Sequence, residues 1–433
     1  MEISSQAGND VLIAYLVKMK NLLVLLLIFF TTIAYAQEDY LLKPDRVFDG
    51  LEMHEDWVVA VSGNQITYAG PKKRINANET IEMSGMTLMP GIIEGHSHIL
   101  LHPYNETSWN DQVLKESIAE RSARAVDHLR ASLMAGVTTM RDLGSEGADY
   151  ADVGLKQAVE KGVIPGPRLL VAGKAIVATG TYGPKGFRDG VEVALGAEEA
   201  DGYDELIRVT RDQIGHGADF IKVYADYRWS PDNKAAPTFT VEELKTIVEI
   251  AESSGRYVVA HASSKEGMRR AIEAGVETIE HGDGGTRDIF QMMKEKGIGL
   301  CPTIAAGWSI ATYNGWDPLN DEDPERIVQK KVSIDLALAA DVPWVFGGDV
   351  GVFPHGENWK EAELMLQYGF DVKLILQSMT SRNAEMFHLE NLGQLKAGFL
   401  ADIIAVKGNP LEQIENLATV GFVMKDGKVY KQD

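Results

Sequence analysis

The stretch LMPGIIEGHSHIL, Leu88–Leu100, leaves an apolar strand through Gly91 and then sets His96 and His98 one residue apart. Side chains alternate with period two on an extended backbone, so both imidazoles point to the same side. Two imidazoles on one face can hold one divalent ion. Taken alone, such a pair is equally compatible with surface histidines or with core histidines whose hydrogen bonds are satisfied. Whether other strand ends carry similar donors decides between these readings.

Short apolar segments recur downstream as GVTTMRDLG, PRLLVAG, FIKVYA, YVVAHAS, TIEHG, IGLCPTI and VPWVFGGD. Helical patterns separate most of them, among them DQVLKESIAERSARAVDHLRASLMAG, VEELKTIVEIAESSG, SKEGMRRAIEAG and RDIFQMMKEKG. With IIEGHSH they make eight strand candidates, which predicts an α/β chain folded as a parallel (β/α)8 TIM barrel. No G-x-G-x-x-G follows an early strand, which argues against a dinucleotide fold. Outside this alternation, WVVAVSGNQITYAG reads as a β-hairpin, and VGFVMKDGKVY as another that turns at Asp426-Gly427. The two end pieces are too short to stand alone, so they are expected to join in one small β-sandwich side domain. The resulting division is 1–36, 37–88 for the first part of the side domain, 89–388 for the barrel, and 389–433 for the second part.

Residues 1–36 are read as a segment outside the fold. MKNLLVLLLIFFTTIAYAQ begins at Met19 with Lys18 and Lys20 as a basic region, runs apolar from Leu22, and ends in Ala34-Tyr35-Ala36 before Gln37. That is the form of a secretory signal peptide cleaved after Ala36. The run from Leu22 to Ala36 has 15 residues, fewer than the roughly 20 that cross a bilayer. A periplasmic or secreted bacterial protein with no stable membrane span is therefore expected. The single cysteine, Cys301, has no intramolecular partner. The net charge of -21, from 63 acidic and 42 basic residues, repels nucleic-acid phosphate and favours a small-molecule partner. It leaves subunit number open, a homo-oligomer included.

In a β/α barrel the C-terminal strand ends converge on the axis, so polar residues that close apolar runs carry information there. They are His96 and His98, Lys222 in FIKVYA, His261 in VVAHAS, His281 in TIEHG and Asp349 in VFGGD. Lys222 inside an apolar strand would be a costly buried cation unless paired with Asp349 or Asp226, or chemically altered. Desolvation lowers its pKa, and reaction of the neutral amine with carbon dioxide would yield a carbamate able to bridge two ions. Asp349, after Gly347-Gly348, could bind a metal and accept a proton from water, or serve as a buried salt-bridge partner. Neutral imidazoles with oxygen donors suit Zn²⁺, with Mn²⁺, Co²⁺ and Fe²⁺ as alternatives.

With these residues in place, the chain resembles the amidohydrolase superfamily from MPGIIEGHSH through the strand lysine, the two later histidines and Asp349 to NLGQLKAGFLADIIAVKGNP. TTMRDLG, GADFIKVYA, ETIEHG and GDVGVFPHGENWKEAELM carry a narrower resemblance to the imidazolonepropionase-like group that includes metal-dependent Xaa-Pro and Xaa-Arg dipeptidases. The resemblance implies a binuclear site. His96, His98 and Asp349 would hold one ion, His261 and His281 the second, and carboxylated Lys222 would bridge them. It also implies hydrolysis of the C–N bond of dipeptides or N-acyl amino acids by a metal-bridging hydroxide, with Asp349 as the catalytic proton carrier. A lactonase or cyclic-amide hydrolase of the same superfamily is the alternative, and an exported metal- or solute-binding protein is the alternative from another class.

For substrate contacts the sequence offers Tyr224 on the Lys222 face, His355 in VFPHGEN, and Tyr182. Tyr182 lies where the chain reads Thr179-Gly180-Thr181-Tyr182-Gly183, a departure from the Thr-Gly-Gly-His common in related dipeptidases, which bears on dipeptide specificity. Packing is the competing role for Tyr224, and a plain loop position for His355. Arg228, Lys185 and Arg188 sit in rim loops, either as carboxylate receptors or as solvated surface. Trp308, Tyr313 and Trp316 are expected in a loop after LCPTIAA, as a pocket wall or as local packing.

Overall fold

The computed structural model describes residues 37–188 and 190–433. Residues 1–36, read above as a signal peptide, lie outside the described residues. Among the described residues no helix is long and apolar enough to cross a membrane.

Parallel strands alternate with helices through most of the chain, as the apolar spacing predicts. Ile92–Ser97, Val137–Asp142 and Arg168–Val171 pair in that order, and Ile176–Val177, Ile221–Tyr224, Val258–Ala262, Thr278–His281 and Gly299–Cys301 pair in theirs. All eight residues from Ile221 to Tyr224 and from Thr278 to His281 are buried, the near-continuous burial of parallel strands covered on both faces. VPWVFGGD is not a regular strand. It makes single parallel bridges, Trp344 to Leu300 and Val350 to Ser97. It is also tied to the first strand by Gly95 N to Phe346 O and Asp349 N to His96 O, each 2.9 Å. Asp349 has φ 63, a left-handed backbone that no continuing strand adopts.

The helices follow their end signals. Val241–Glu252 opens on a capping box in which Thr240 and Glu243 satisfy each other's backbone donors. Lys265–Ala274 and Arg287–Lys296 stop at left-handed Gly275 and Gly297. The long pattern from Asp111 to Gly136 splits into Trp109–Lys115 and Ile118–Met134, because the Ser117 side chain caps the second helix by accepting from Glu120 N. Trp308 and Tyr313 lie on a helix, Ile304–Tyr313, and not in the expected loop. The buried Glu361 carboxylate accepts from Ile304 N (3.0 Å) and Ala305 N (2.7 Å), satisfying first-turn donors from a distant part of the chain.

The two chain ends do join. Ala77–Pro90 pairs parallel with Glu38–Phe48 and antiparallel with Ile403–Lys407, stitching both ends into one eight-stranded mixed sheet. The sandwich expectation called for two sheets, but this 14-residue strand is long enough to serve both halves. Leu42, Val59, Met83, Ile403 and Phe422 share one buried cluster on its inner face. Both expected hairpins are present, and the second turns through Asp426 (φ 50) and Gly427 (φ 72), the pair of positive dihedrals favoured by tight two-residue hairpins.

Candidate metal centre

The strand register sets the level of the site. Tyr224 stands opposite His261, and Ala262 opposite His281, with Lys222 two residues below Tyr224 on the same face. The rings of His98, His96, His281 and His261 form an unbroken series, with centroid separations of 5.5, 5.1 and 4.5 Å. Asp349 meets this series at its first end. Its Oδ1 is 3.6 Å from His96 Nε2 and 3.5 Å from His98 Nε2, and these three donors are close enough to share one ion.

Each ring is oriented from outside. His96 Nδ1 donates to Glu280 Oε2 (2.8 Å), and Glu280 Oε1 in turn accepts from Arg141 Nη2 (3.0 Å). His98 Nδ1 lies 3.1 Å from Gly144 O, and His281 Nδ1 2.7 Å from Thr303 Oγ1. Engaging Nδ1 in this way leaves Nε2 free toward the interior, the arrangement that fixes the tautomer of a metal-binding histidine. His261 is reversed: its Nε2 lies 3.8 Å from Asp226 Oδ1, which leaves Nδ1 for the cluster. Asp226 is itself anchored by Ser263 N, Ser264 N and Ser264 Oγ.

Burial, opposed by Asp349 and Glu280, lowers the pKa of His96. Burial and neighbouring cations push His261 and His281 well below the ordinary histidine value. These rings are thus neutral, the protonation state a metal requires. Burial alone would raise the Glu280 carboxyl, but Arg141 and His96 overcome it and hold Glu280 ionised well below the carboxylate range. Lys222 is fully buried and its pKa is lowered by that burial, against the pull of Glu280 and Asp349. Its charge is felt by His96, His261 and His281, and it forms no ion pair among the described residues; the pairing with Asp349 or Asp226 does not occur.

Two observations test whether a divalent cation fits. Asp349 Oδ1 is buried without a hydrogen-bond partner among the described residues, a costly condition for a carboxylate oxygen unless a cation meets it. Asp349 and His281 both hold left-handed backbones, φ 63 and 75; the rest of the fold must offset that strain, which favours a functional site. The donor set fits a divalent cation.

Of the expected substrate contacts, Tyr224 and Tyr182 stand together beside His261, with Tyr224 stacked on that imidazole at 4.7 Å. His355 lies elsewhere: its Nε2 is 3.1 Å from Leu101 O and its ring stacks on His128 at 4.3 Å, against the loop that follows His98. Arg228, Lys185 and Arg188 are exposed. Trp308 and Trp316 pack on each other edge to face at 4.7 Å.

Sequence reading missed Glu280 and Glu94. Both are charges inside apolar strands, the same signal that exposed Lys222. Glu94 accepts from His96 N, Gly348 N and Asn358 Nδ2, tying the first strand to the Asp349 segment; burial nonetheless pushes its carboxyl up to about 7.

The model of the Amidohydrolase family matches residues 87–430, which takes in every donor of this centre. The chain belongs to the amidohydrolase family. Ochratoxinase of Aspergillus niger is 30% identical over 406 residues, covering 87% of this chain and 82% of that protein. A solved Xaa-Pro dipeptidase with methionine bound in its active site superposes with a TM-score of 0.78 at 30% identity, covering 90% of this chain and 99% of that one. Imidazolonepropionase of Bdellovibrio bacteriovorus is 23% identical over 390 residues, covering 83% of this chain and 84% of that protein. Family membership and the donor cluster together mark a metal-dependent amidohydrolase-family enzyme, and the expected relation to Xaa-Pro dipeptidases and imidazolonepropionase-like proteins is borne out.

Proposed function

We propose that this amidohydrolase cleaves the C–N bond of dipeptides or N-acyl amino acids at a binuclear centre. The observation that carries the reading is the unbroken series of four imidazoles meeting Asp349 Oδ1, a buried oxygen with no hydrogen-bond partner among the described residues. His96, His98 and Asp349 would hold one ion, His261 and His281 a second, and Lys222, carboxylated by carbon dioxide, would offer oxygen to both. Bound divalent cations, Zn²⁺ foremost, supply Lewis-acid polarisation of the scissile carbonyl and a water ionised near neutral pH.

The protein's part is to orient and to move a proton. Glu280 and Arg141 hold His96, and Thr303 holds His281, so the inward nitrogens stay fixed while the reaction proceeds. Asp349 takes a proton from the attacking water on its carboxylate and delivers it to the leaving nitrogen. Tyr182 and Tyr224 bound the substrate on the His261 side. His355 acts through the loop it holds at Leu101.

The same reading divides the chain at residues 36, 88 and 388, closes the parallel strands into an eight-stranded barrel through the Trp344 and Val350 bridges, and exports the protein to the periplasm or beyond. A mature amino terminus at Gln37, read by mass spectrometry of protein from the native host, is the expected sign of export. Substrate class is tested by offering dipeptides, N-acyl amino acids and lactones to metal-loaded protein. Amide turnover is expected. Lactone cleavage without amide turnover would overturn the proposal, and a chain that binds no metal stoichiometrically would overturn the centre itself.

A further inference from the structure

Beside the imidazoles stands a wall of rings whose backing the proposed mechanism does not use. Tyr182 meets Trp109 edge to face at 5.2 Å, Tyr224 at 4.6 Å and Tyr227 at 5.0 Å, and Tyr224 continues the wall onto His261. Behind Trp109 and Tyr182 is Glu146, 2% exposed. Its Oε2 accepts two bonds at once, from Trp109 Nε1 at 2.8 Å and from the Tyr182 hydroxyl at 2.7 Å. Its Oε1 lies 3.7 Å from His98 Nδ1. One carboxylate therefore holds the wall and lies beside the His98 ring.

The surroundings are built around this arrangement. Glu146 holds a left-handed backbone, φ 49, an uncommon and strained state for a side chain of its size. The buried Arg121 keeps it there by donating from Nη1 to Glu146 O at 2.8 Å and from Nη2 to Ser145 O at 3.3 Å. Gly196 lies against the group, where an added Cβ would come 2.5 Å from Trp109 Cζ2, 3.0 Å from Tyr182 Cε1 and 3.2 Å from Glu146 Oε2. Both donors being spent on Oε2, that oxygen binds no substrate; its effect is to fix two ring planes. Trp109 and Tyr227 are only half-buried, so the wall keeps an open edge toward the rim.

We infer that Glu146 is a positioning residue that sets the planes of Trp109 and Tyr182, and that the wall they form receives an aryl group of the amide substrate. The inference rests on the reading of the centre as an amide hydrolase. A flat ring laid on fixed rings gains offset or edge-to-face contact that an acetyl or aliphatic group lacks, and a preference on the order of 10-fold follows from contacts of this kind.

The test uses the full metal-loaded protein with acetyl-leucine, benzoyl-leucine and acetyl-phenylalanine, which place an aryl group on neither side, the acyl side or the amine side of the bond. Wild-type kcat/KM for one aryl compound should exceed that for acetyl-leucine by about 10-fold. Glu146→Gln and, independently, Gly196→Ala should shrink that ratio to about 2-fold or less, mainly through KM of the aryl compound. An equal loss on aryl and non-aryl compounds, with the ratio kept, means a purely structural role and overturns the inference, as does a wild-type enzyme with no aryl preference. If wild type turns over none of the three, the amide reading fails, and the wall is then judged by binding alone. The aryl compound that wild type prefers, or both aryl compounds where none is turned over, should quench tryptophan fluorescence in wild type and not in Trp109→Phe, and absence of that quench overturns the inference separately.

Discussion

The two ends of the parallel strands differ in the state of their polar groups. At the N-terminal ends a cavity of about 990 Å³ is lined by Glu277, Trp344, Arg382 and His388, with Leu51 and Phe399 from the neighbouring sheet region. It is roomy, yet Glu277 and His388 already satisfy each other at 3.2 Å, and the histidine is mostly exposed. At the C-terminal ends three buried imidazoles and the part-buried His261 converge with a lysine and with a carboxylate oxygen that has no hydrogen-bond partner among the described residues. A roomy cavity by itself marks no chemistry. Unmet polar groups held by strained backbone mark where chemistry occurs, because such an arrangement persists only when the fold over-determines it.

The largest expected effect breaks the contrast at Asp349. Asp349→Asn should lower kcat by about 10²- to 10⁴-fold, the usual worth of a positioned proton carrier, while elemental analysis still finds bound metal. Near-wild-type turnover would end the assigned role. Next in size is Glu280→Gln, which leaves Arg141 and His96 without their shared buried partner. Chemical denaturation should read a loss of about 3–5 kcal/mol, and metal affinity should fall about 10- to 100-fold through the reoriented His96 ring.

Acidification sharpens the contrast by a smaller amount. In metal-free protein His96, His261 and His281 have pKa values below the ordinary 6.5. The unfolded chain therefore binds more protons than the folded one between the depressed values and 6.5. Their contribution to stability is present above about pH 6.5 and is lost as pH falls below it, at up to about 1.4 kcal/mol per pH unit for each ring. Melting of chelated protein at pH 7 and pH 5 should show the drop, and saturating metal, which keeps the folded rings unprotonated, should raise stability at both pH values without removing that drop. At the other end, Glu277→Gln and His388→Ala remove only an exposed pair, so stability should change by less than about 1 kcal/mol and turnover by less than about 2-fold. A large loss of turnover there would erase the distinction between the two ends.

Much of this centre was legible before folding because its residues break a local rule. His96, Lys222, His261 and His281 interrupt apolar strands, and a polar residue in a strand buried on both faces needs a reason that can be read from one segment at a time. The hairpins and the helix stops at Gly275 and Gly297 were likewise written in local turn and cap chemistry. Apart from the helix break that Ser117 caps locally, the departures involve partners far apart in sequence. Glu361 turns the expected loop of Trp308 and Tyr313 into a helix from 56–57 residues away, and Ala77–Pro90 merges two expected sheets by pairing on both edges. Nothing local distinguishes Glu146 among the 63 acidic residues; its part is set by Trp109 and Tyr182, which share its oxygen.

By itself, then, the sequence determined the alternation of strands and helices, the donors at the strand ends and the family to which they point, because periodicity and burial cost act within a few residues. Only the tertiary structure decided that the four rings form one series, that Asp349 Oδ1 lies between two of them without another partner, that His355 faces the His98 loop, and that a strained glutamate backs the aromatic wall. Those are distances between segments as much as 254 residues apart, from Leu101 to His355, and they are set by how the whole core packs, which no single stretch of chain encodes.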